Sequence, residues 1–70
     1  MNKAFLKKFA KNLKSIRKKK GVTQDDIGVN GISRSMISLI ELAKTDVTLS
    51  KVKIIADNLN ISVKDLFNFD

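Results

Sequence analysis

The sequence contains no cysteine and no histidine, which excludes disulfides, thiol nucleophiles, imidazole bases and nearly every transition-metal site. Its longest apolar run is three residues, so it has neither a membrane-spanning helix, which needs about 20 residues, nor the apolar stretch of a signal peptide. We therefore expect a cytoplasmic protein that is not an enzyme and that binds no metal, cofactor or small-molecule ligand.

The composition is that of one small folded domain. The chain has 70 residues, of which 43% are hydrophobic and 30% charged, and it contains no proline and no internal repeat. A chain of this length has room for one modest core, so we expect a single domain over residues 1–70.

The charge is strongly positive and unevenly distributed. The net charge is +7, and residues 1–22 carry nine basic side chains and no acidic one, whereas residues 23–70 carry five basic and seven acidic side chains. Polyanions, either nucleic acid or an anionic membrane, are the partners that such a balance favours. The lysines of the first segment either form a solvated helix face or contact phosphates directly.

Helical periodicity defines the first element. Apolar residues recur at spacings of four, four and three between Ala4 and Lys19, and Gly21 follows, which predicts an amphipathic helix that ends at this glycine. The apolar face consists of Phe5, Phe9, Leu13 and Ile16.

A short second helix and a tight turn come next. Thr23 and Asp26 have the spacing of an N-cap with a short capping box, so a helix is predicted to begin there. It ends at about Val29, because Asn30 and Gly31 form a turn dipeptide in which both residues tolerate positive φ.

Three further helices follow from capping residues and apolar stripes. Ser33 caps a third helix that extends to Ala43 or Lys44, Thr48 caps a fourth that Asn60 closes, and Ser62 with Asp65 opens a fifth. Their expected buried sides are Met36, Ile37 and Ile40 in the third helix, and Leu49, Val52, Ile55, Ala56 and Leu59 in the fourth. The apolar residues of the short fifth helix are Val63, Leu66 and Phe67. The sequence thus predicts an all-α fold of five helices without a strand.

Two short helices joined by a glycine turn form a helix-turn-helix unit, here at about residues 23–43. The second helix of such a unit fits the major groove of duplex DNA. On a helical wheel, the outward side chains of the third helix are Arg34, Ser35, Ser38, Leu39 and Leu42.

Arg34 is the leading candidate for base recognition. Its planar guanidinium can donate two hydrogen bonds to guanine O6 and N7, although a phosphate clamp is the alternative role. Ser35 and Ser38 either contact DNA or are simply solvated. Ser33, Lys44 and Thr45, at the two ends of the helix, are candidates for phosphate contacts.

Three segments of the chain resemble the lambda-repressor and Cro-like (XRE-type) family of helix-turn-helix domains. They are R-x-x-x-G-V-T-Q at Arg17 to Gln24, S-R-S-M-I-S-L-I-E at Ser33 to Glu41, and I-S-V-K-D-L-F at Ile61 to Phe67, within residues 13–67. The resemblance implies a compact five-helix domain that regulates transcription by binding operator DNA, as in phage Cro-like repressors and the small controller proteins of restriction-modification systems.

The resemblance also assigns individual roles. Gln24 matches a phosphate-binding glutamine, for which a local capping bond is the structural alternative. Leu39 replaces a polar base-contacting residue, which implies contact with a thymine methyl group or with a protein. Arg17 and Glu41 match a partly buried ion pair, so we assign them a structural role.

The sequence departs from the family pattern in two places. The segment between Thr23 and Ser33 is one residue shorter than usual. Deleting one helical residue rotates the residues that follow by about 100°, which affects the angle between the second and third helices. Gly28 stands where the family has alanine, and Ala43 stands where it has the glycine that ends the recognition helix. We therefore expect the third helix to extend further than in the family.

Such domains usually bind two half-sites, so a homodimer is expected. The expected interface consists of Leu66, Phe67 and Phe69. In the alternative, Phe67 belongs to the core and Phe69 frays.

Two other functions compete with DNA reading. In the first, the chain is an interaction module, such as an antitoxin or an anti-repressor partner, that binds protein through Leu39 and Leu42. In the second, residues 3–20 form a membrane-active amphipathic helix. Against the second, the apolar face of that segment is needed for the core.

Overall fold

The computed structural model describes residues 1–70 and contains five α-helices and no strand. The helices are α1 (Lys3–Lys19), α2 (Gln24–Ile27), α3 (Arg34–Glu41), α4 (Leu49–Leu59) and α5 (Val63–Leu66). The predicted all-α fold of five helices is confirmed.

Every helix begins immediately after a polar side chain that accepts a hydrogen bond from a backbone N–H of the first turn, which is why the capping pattern located the helices well. The capping residues are Asn2, Thr23, Ser33, Thr48 and Ser62. At Thr23 the box is complete, since Asp26 Oδ2 accepts the Thr23 N–H at 2.7 Å. This backbone hydrogen bond, together with one from the Thr23 side chain, lowers the pKa of the Asp26 carboxyl.

Three helices end in the same left-handed turn. The residues with positive φ are Gly21 (70°), Ala43 (56°) and Asn60 (56°), and in each turn the next N–H donates to a carbonyl of the last helical turn. At Ala43 the expectation of a longer α3 is wrong, because α3 ends at Glu41. The turn satisfies the carbonyls of α3 and buries the alanine methyl, which offsets the roughly 1–2 kcal/mol cost of this conformation.

The core lies where α1, α3, α4 and α5 meet around the single turn of α2. Its buried residues are Phe9, Leu13, Ile27, Ile32, Ile37, Ile40, Val52, Ile55, Ala56, Leu59 and Leu66. Most of the predicted apolar stripes are confirmed, but Leu49 is 86% exposed and Phe5 is also exposed. Both lie in the first turns of their helices, outside the packed centre, where periodicity alone does not separate surface from core.

The segment between α2 and α3 is tightly packed. α2 has only one turn, Gln24–Ile27, shorter than predicted, and Asn30 and Gly31 both have positive φ, as predicted. A Cβ atom on Gly28 would lie 2.6 Å from the Cα and the N of Arg34. The shorter connection is therefore accommodated by bringing the start of α3 directly against Gly28.

Helix α4 holds this connection in place through two side chains. Asn58 Nδ2 donates to the carbonyl oxygens of Ile27 and Val29 at 3.0 and 2.7 Å. Lys51 Nζ donates to the Gly31 carbonyl oxygen at 2.6 Å. These bonds satisfy carbonyls that neither short helix can satisfy. The angle between α2 and α3 is therefore fixed by contacts with α4.

We expect Gly28→Ala to destabilise the domain. An unobstructed helical site gains about 1 kcal/mol from this change. Here the new methyl group meets the backbone of Arg34, so a loss of about 1–3 kcal/mol is expected in urea unfolding.

Gly21 is the matched control, because no atom lies within 4 Å of its Cβ position and only its positive φ opposes a side chain. Asparagine tolerates that conformation, so Gly21→Asn should leave the stability of the domain nearly unchanged, whereas Gly28→Asn should lower it. A Gly28→Ala variant as stable as the native protein would contradict the close packing.

Candidate nucleic-acid interface

Helix α3 presents to solvent a face that contains both polar side chains and leucines. Arg34, Ser35, Leu39 and Leu42 are exposed and Ser38 is half-buried, whereas Ile37 and Ile40 are buried on the opposite side. We call the residues Ser33, Arg34, Ser35, Ser38, Leu39 and Leu42 the α3 surface. The orientation that the helical wheel predicts is confirmed. All four candidate base-contacting residues lie on this one surface.

The N-terminus of α3 is open to solvent. Ser33 is exposed, and its Oγ accepts the Met36 N–H at 3.1 Å, which leaves the serine hydroxyl hydrogen free to donate. The first N–H groups of a helix have no partner within the helix, and they carry partial positive charge. The start of α3 can therefore donate hydrogen bonds to an anion.

The guanidinium of Arg34 lies beside an acidic side chain of α2. Its Nε atom is 3.4 Å from Asp25 Oδ1, and both side chains are exposed to water. Sequence reasoning did not identify this pair, because the two residues are brought together only by the packing of α3 against Gly28.

A partly buried ion pair links α1 to α3 behind the α3 surface. Arg17 Nε and Nη2 donate to Glu41 Oε2 and Oε1 at 2.7 and 3.1 Å, and Arg17 Nη1 donates to the Val22 carbonyl oxygen at 2.9 Å. The Glu41 side chain is 2% exposed. The hydrogen bond to Glu41 raises the pKa of Arg17. The expected partly buried ion pair is present.

Gln24 belongs to the same network. Its Nε2 donates to Glu41 Oε1 at 3.1 Å, so the alternative of a local capping bond is wrong. The side chain is half-buried, and its amide keeps a second N–H and its oxygen. The phosphate contact of Gln24 thus stays a prediction. The hydrogen bond to Glu41 fixes the orientation of the Gln24 side chain.

Lys44 and Thr45 follow α3 at its other end. Lys44 is exposed, while Thr45 is half-buried and its Oγ1 donates to the Asp46 carbonyl oxygen at 3.3 Å. The candidate phosphate contacts therefore lie at both ends of α3.

The chemistry of this region is that of recognition. It offers guanidinium, hydroxyl and backbone N–H donors together with two leucine side chains. The chain has no group of three acidic residues, histidines or cysteines that could hold a metal ion. No helix is long and apolar enough to cross a lipid bilayer.

A second surface is apolar and lies at the ends of the chain. The rings of Phe5, Phe67 and Phe69 pack at centroid distances of 5.6–6.4 Å, and Phe67 also packs against Phe9. A shallow groove of about 220 Å³ lies beside them. It is lined by Phe5, Leu6, Phe9, Val47, Leu49, Val52 and Phe67. We call Phe5, Leu49, Phe67 and Phe69 the aromatic patch.

The burial of Leu66 removes one residue from the predicted dimer interface. Leu66 is 0% exposed and belongs to the core, so it cannot lie on a surface between subunits. Its aliphatic side chain points to the core because Asn12 Nδ2 anchors the end of α5 to α1 through the Asp65 and Leu66 carbonyls. The other two residues of the predicted interface are accessible, since Phe67 is exposed and Phe69 is half-buried. Phe5 and Leu49 are exposed beside them, although their helical spacing assigned them to the core.

Comparison with known proteins agrees with this geometry. The helix-turn-helix family model matches residues 13–66, which contain the second part of α1 and all of α2, α3, α4 and α5. Among curated proteins no sequence matches significantly. The structure is similar to the crystal structure of the restriction-modification controller protein C.AhdI from Aeromonas hydrophila, with a TM-score of 0.86 and 31% sequence identity over 91% of this chain and 98% of that chain.

We expect Arg17→Ala to destabilise the fold by about 3–5 kcal/mol, because it leaves the Glu41 carboxylate buried without its cation. Chemical denaturation followed by circular dichroism measures this loss. Lys18→Ala, at an exposed neighbouring position in α1, is the control and should change stability by less than about 0.5 kcal/mol.

The double variant Arg17→Met with Glu41→Leu removes both charges and should recover most of the stability. If Arg17→Ala were as stable as Lys18→Ala, the ion pair would not hold the helices together.

Proposed function

This chain belongs to the helix-turn-helix family and is a DNA-binding transcription regulator, and we propose that it binds operator DNA as a homodimer, with α3 in the major groove of each half-site. The observation that carries the proposal is the division of α3, which buries Ile37 and Ile40 in the core and leaves its polar face outside.

The α3 surface suits a groove because its small side chains surround one long donor. Ser35 and Ser38 are short enough to let the helix approach the bases closely, and their hydroxyls can donate or accept. Arg34, at the first helical position, reaches furthest and would donate to guanine O6 and N7. Leu39 would contact a thymine methyl group.

Phosphate contacts would flank the base-reading residues. Ser33 and Gln24 lie at the start of the helix-turn-helix unit, and Lys44 and Thr45 lie just beyond α3. Such contacts fix the register of the helix on the duplex without reading sequence. The net charge of +7 adds long-range attraction to DNA.

A homodimer is favoured because the DNA-contacting surface of one subunit is small. One helix of eight residues makes few base contacts, whereas two copies bind half-sites about one DNA turn, or 34 Å, apart. We propose that the subunits pair through the aromatic patch, with Phe5 and Leu49 in place of the buried Leu66. The similarity to a restriction-modification controller protein supports a regulator of the controller type.

The base-reading role predicts a defined consensus. Selection of bound sequences from a random duplex pool at about 150 mM salt should yield a two-fold symmetric site. Arg34→Ala should reduce the discrimination between bases at one position of each half-site by about 1–3 kcal/mol, since the two hydrogen bonds to guanine are lost.

Lys44→Ala is the matched control, because it removes one exposed positive charge outside the base-reading row. It should weaken binding to all sequences about equally. The slope of the logarithm of the binding constant against the logarithm of the salt concentration should become shallower by about one, because one phosphate contact is lost. Recovery of no consensus, with binding that does not depend on salt, would contradict DNA reading and favour a protein partner at Leu39 and Leu42.

The proposed dimer predicts that Leu49→Lys shifts the chain towards monomer. Leu49 is so exposed that the folded subunit should tolerate lysine, yet two lysines would lie near the apolar interface. We expect the dimer dissociation constant, measured by analytical ultracentrifugation, to rise by at least about tenfold.

Val29→Lys introduces the same charge at another exposed apolar side chain, outside the aromatic patch, and should leave dimerisation unchanged. Equal dissociation constants for Leu49→Lys and the native chain would place the interface elsewhere.

A further inference from the structure

Asp25, the acidic side chain beside Arg34, lies in the first turn of α2, where the helix dipole favours negative charge, and it makes none of the proposed DNA contacts. The ion pair between Asp25 Oδ1 and Arg34 Nε is 3.4 Å long, with side chains that are 76% and 64% exposed. Exposed pairs of this kind contribute little to folding. A negative charge near the phosphates of DNA also opposes binding, so the placement of Asp25 beside Arg34 carries an electrostatic cost in the proposed complex.

The position of Asp25 relative to Arg34 is set by the backbone. Gly28 lies one helical turn beyond Asp25, and the Cα of Arg34 packs directly against Gly28. The Arg34 side chain therefore begins beside the end of α2 and extends along it towards Asp25. The pair arises from the tight connection between α2 and α3.

We propose that Asp25 is a positioning residue that sets the orientation of the Arg34 guanidinium and thereby sharpens base specificity. The proposal rests on the function proposed above, in which Arg34 reads a base. The guanidinium has five N–H donors in one plane. With its Nε edge beside Asp25, the terminal Nη1 and Nη2 edge remains free for the two acceptors of a guanine.

Asp25 also disfavours the competing role of Arg34 as a phosphate clamp. Its carboxylate competes with phosphates for the guanidinium and repels a backbone that approaches Arg34 from the side of α2. When water is excluded at the interface, the attraction between the two side chains becomes stronger than in the free protein. Asp26, in contrast, is held by the Thr23 N–H at 2.7 Å and cannot replace Asp25.

The experiment compares two duplexes, one with the selected consensus and one in which the base pair that depends on Arg34 is replaced. Fluorescence anisotropy gives the dissociation constant for each, and their ratio measures specificity at that base. Asp25→Asn, which keeps the shape but removes the charge, should lower this ratio roughly three- to tenfold, because part of the bidentate discrimination is lost. Its absolute affinity for the replaced duplex should rise.

Two variants separate positioning from charge alone. Asp57→Asn removes an exposed carboxylate of α4, paired with Lys53 at 2.8 Å, and should leave the ratio unchanged. Asp25→Glu restores a carboxylate and should recover part of the specificity. In an Arg34→Ala background, Asp25→Asn should have no further effect on the ratio.

The outcomes distinguish the two proposals. If Arg34→Ala leaves the base preference intact, then Arg34 reads no base, which overturns its proposed contact and the role of Asp25 with it. If Arg34→Ala relaxes the preference but Asp25→Asn keeps the native ratio, only the positioning role is overturned. A ratio that falls equally in Asp25→Asn and Asp57→Asn would also overturn it, since net charge alone would then account for the change.

Discussion

The buried carboxylate of Glu41 is the constraint on which the placement of α3 depends. Its oxygens accept hydrogen bonds from Arg17 in α1 and Gln24 in α2, while Glu41 itself closes α3. A buried carboxylate that loses its cation carries a penalty of several kcal/mol. The three helices can therefore separate only at high cost, and α3 is presented to solvent as part of one rigid unit.

This rigidity explains how a short connection between α2 and α3 is tolerated. A missing helical residue rotates the following chain by about 100°, which would turn Ile37 and Ile40 away from the core. The structure avoids this by ending α2 after one turn and placing Arg34 against Gly28. Asn58 then holds the carbonyls of the connection, so the buried and exposed faces of α3 keep the orientation that Glu41 demands.

Local signals in the sequence were sufficient for the helices but not for the details of packing. Side-chain capping acts within four residues, so Ser33 and Thr48 located their helices correctly. Ala43 adopts a left-handed conformation because burial of its methyl group outweighs its own preference, and Leu49 is exposed despite its helical spacing. The sequence likewise could not reveal the pairing of Asp25 with Arg34, which depends on how closely two helices approach.

The net charge of the chain links the two proposed functions. The aromatic patch is uncharged, whereas each subunit of the proposed homodimer carries +7. Two such subunits repel each other, although salt screens this repulsion beyond about 8 Å. Phosphates of a bound duplex neutralise part of the charge on both subunits at once. In the proposed homodimer, pairing through the aromatic patch would therefore be easier on DNA than in free solution, and DNA binding and dimerisation would strengthen each other by the same free energy.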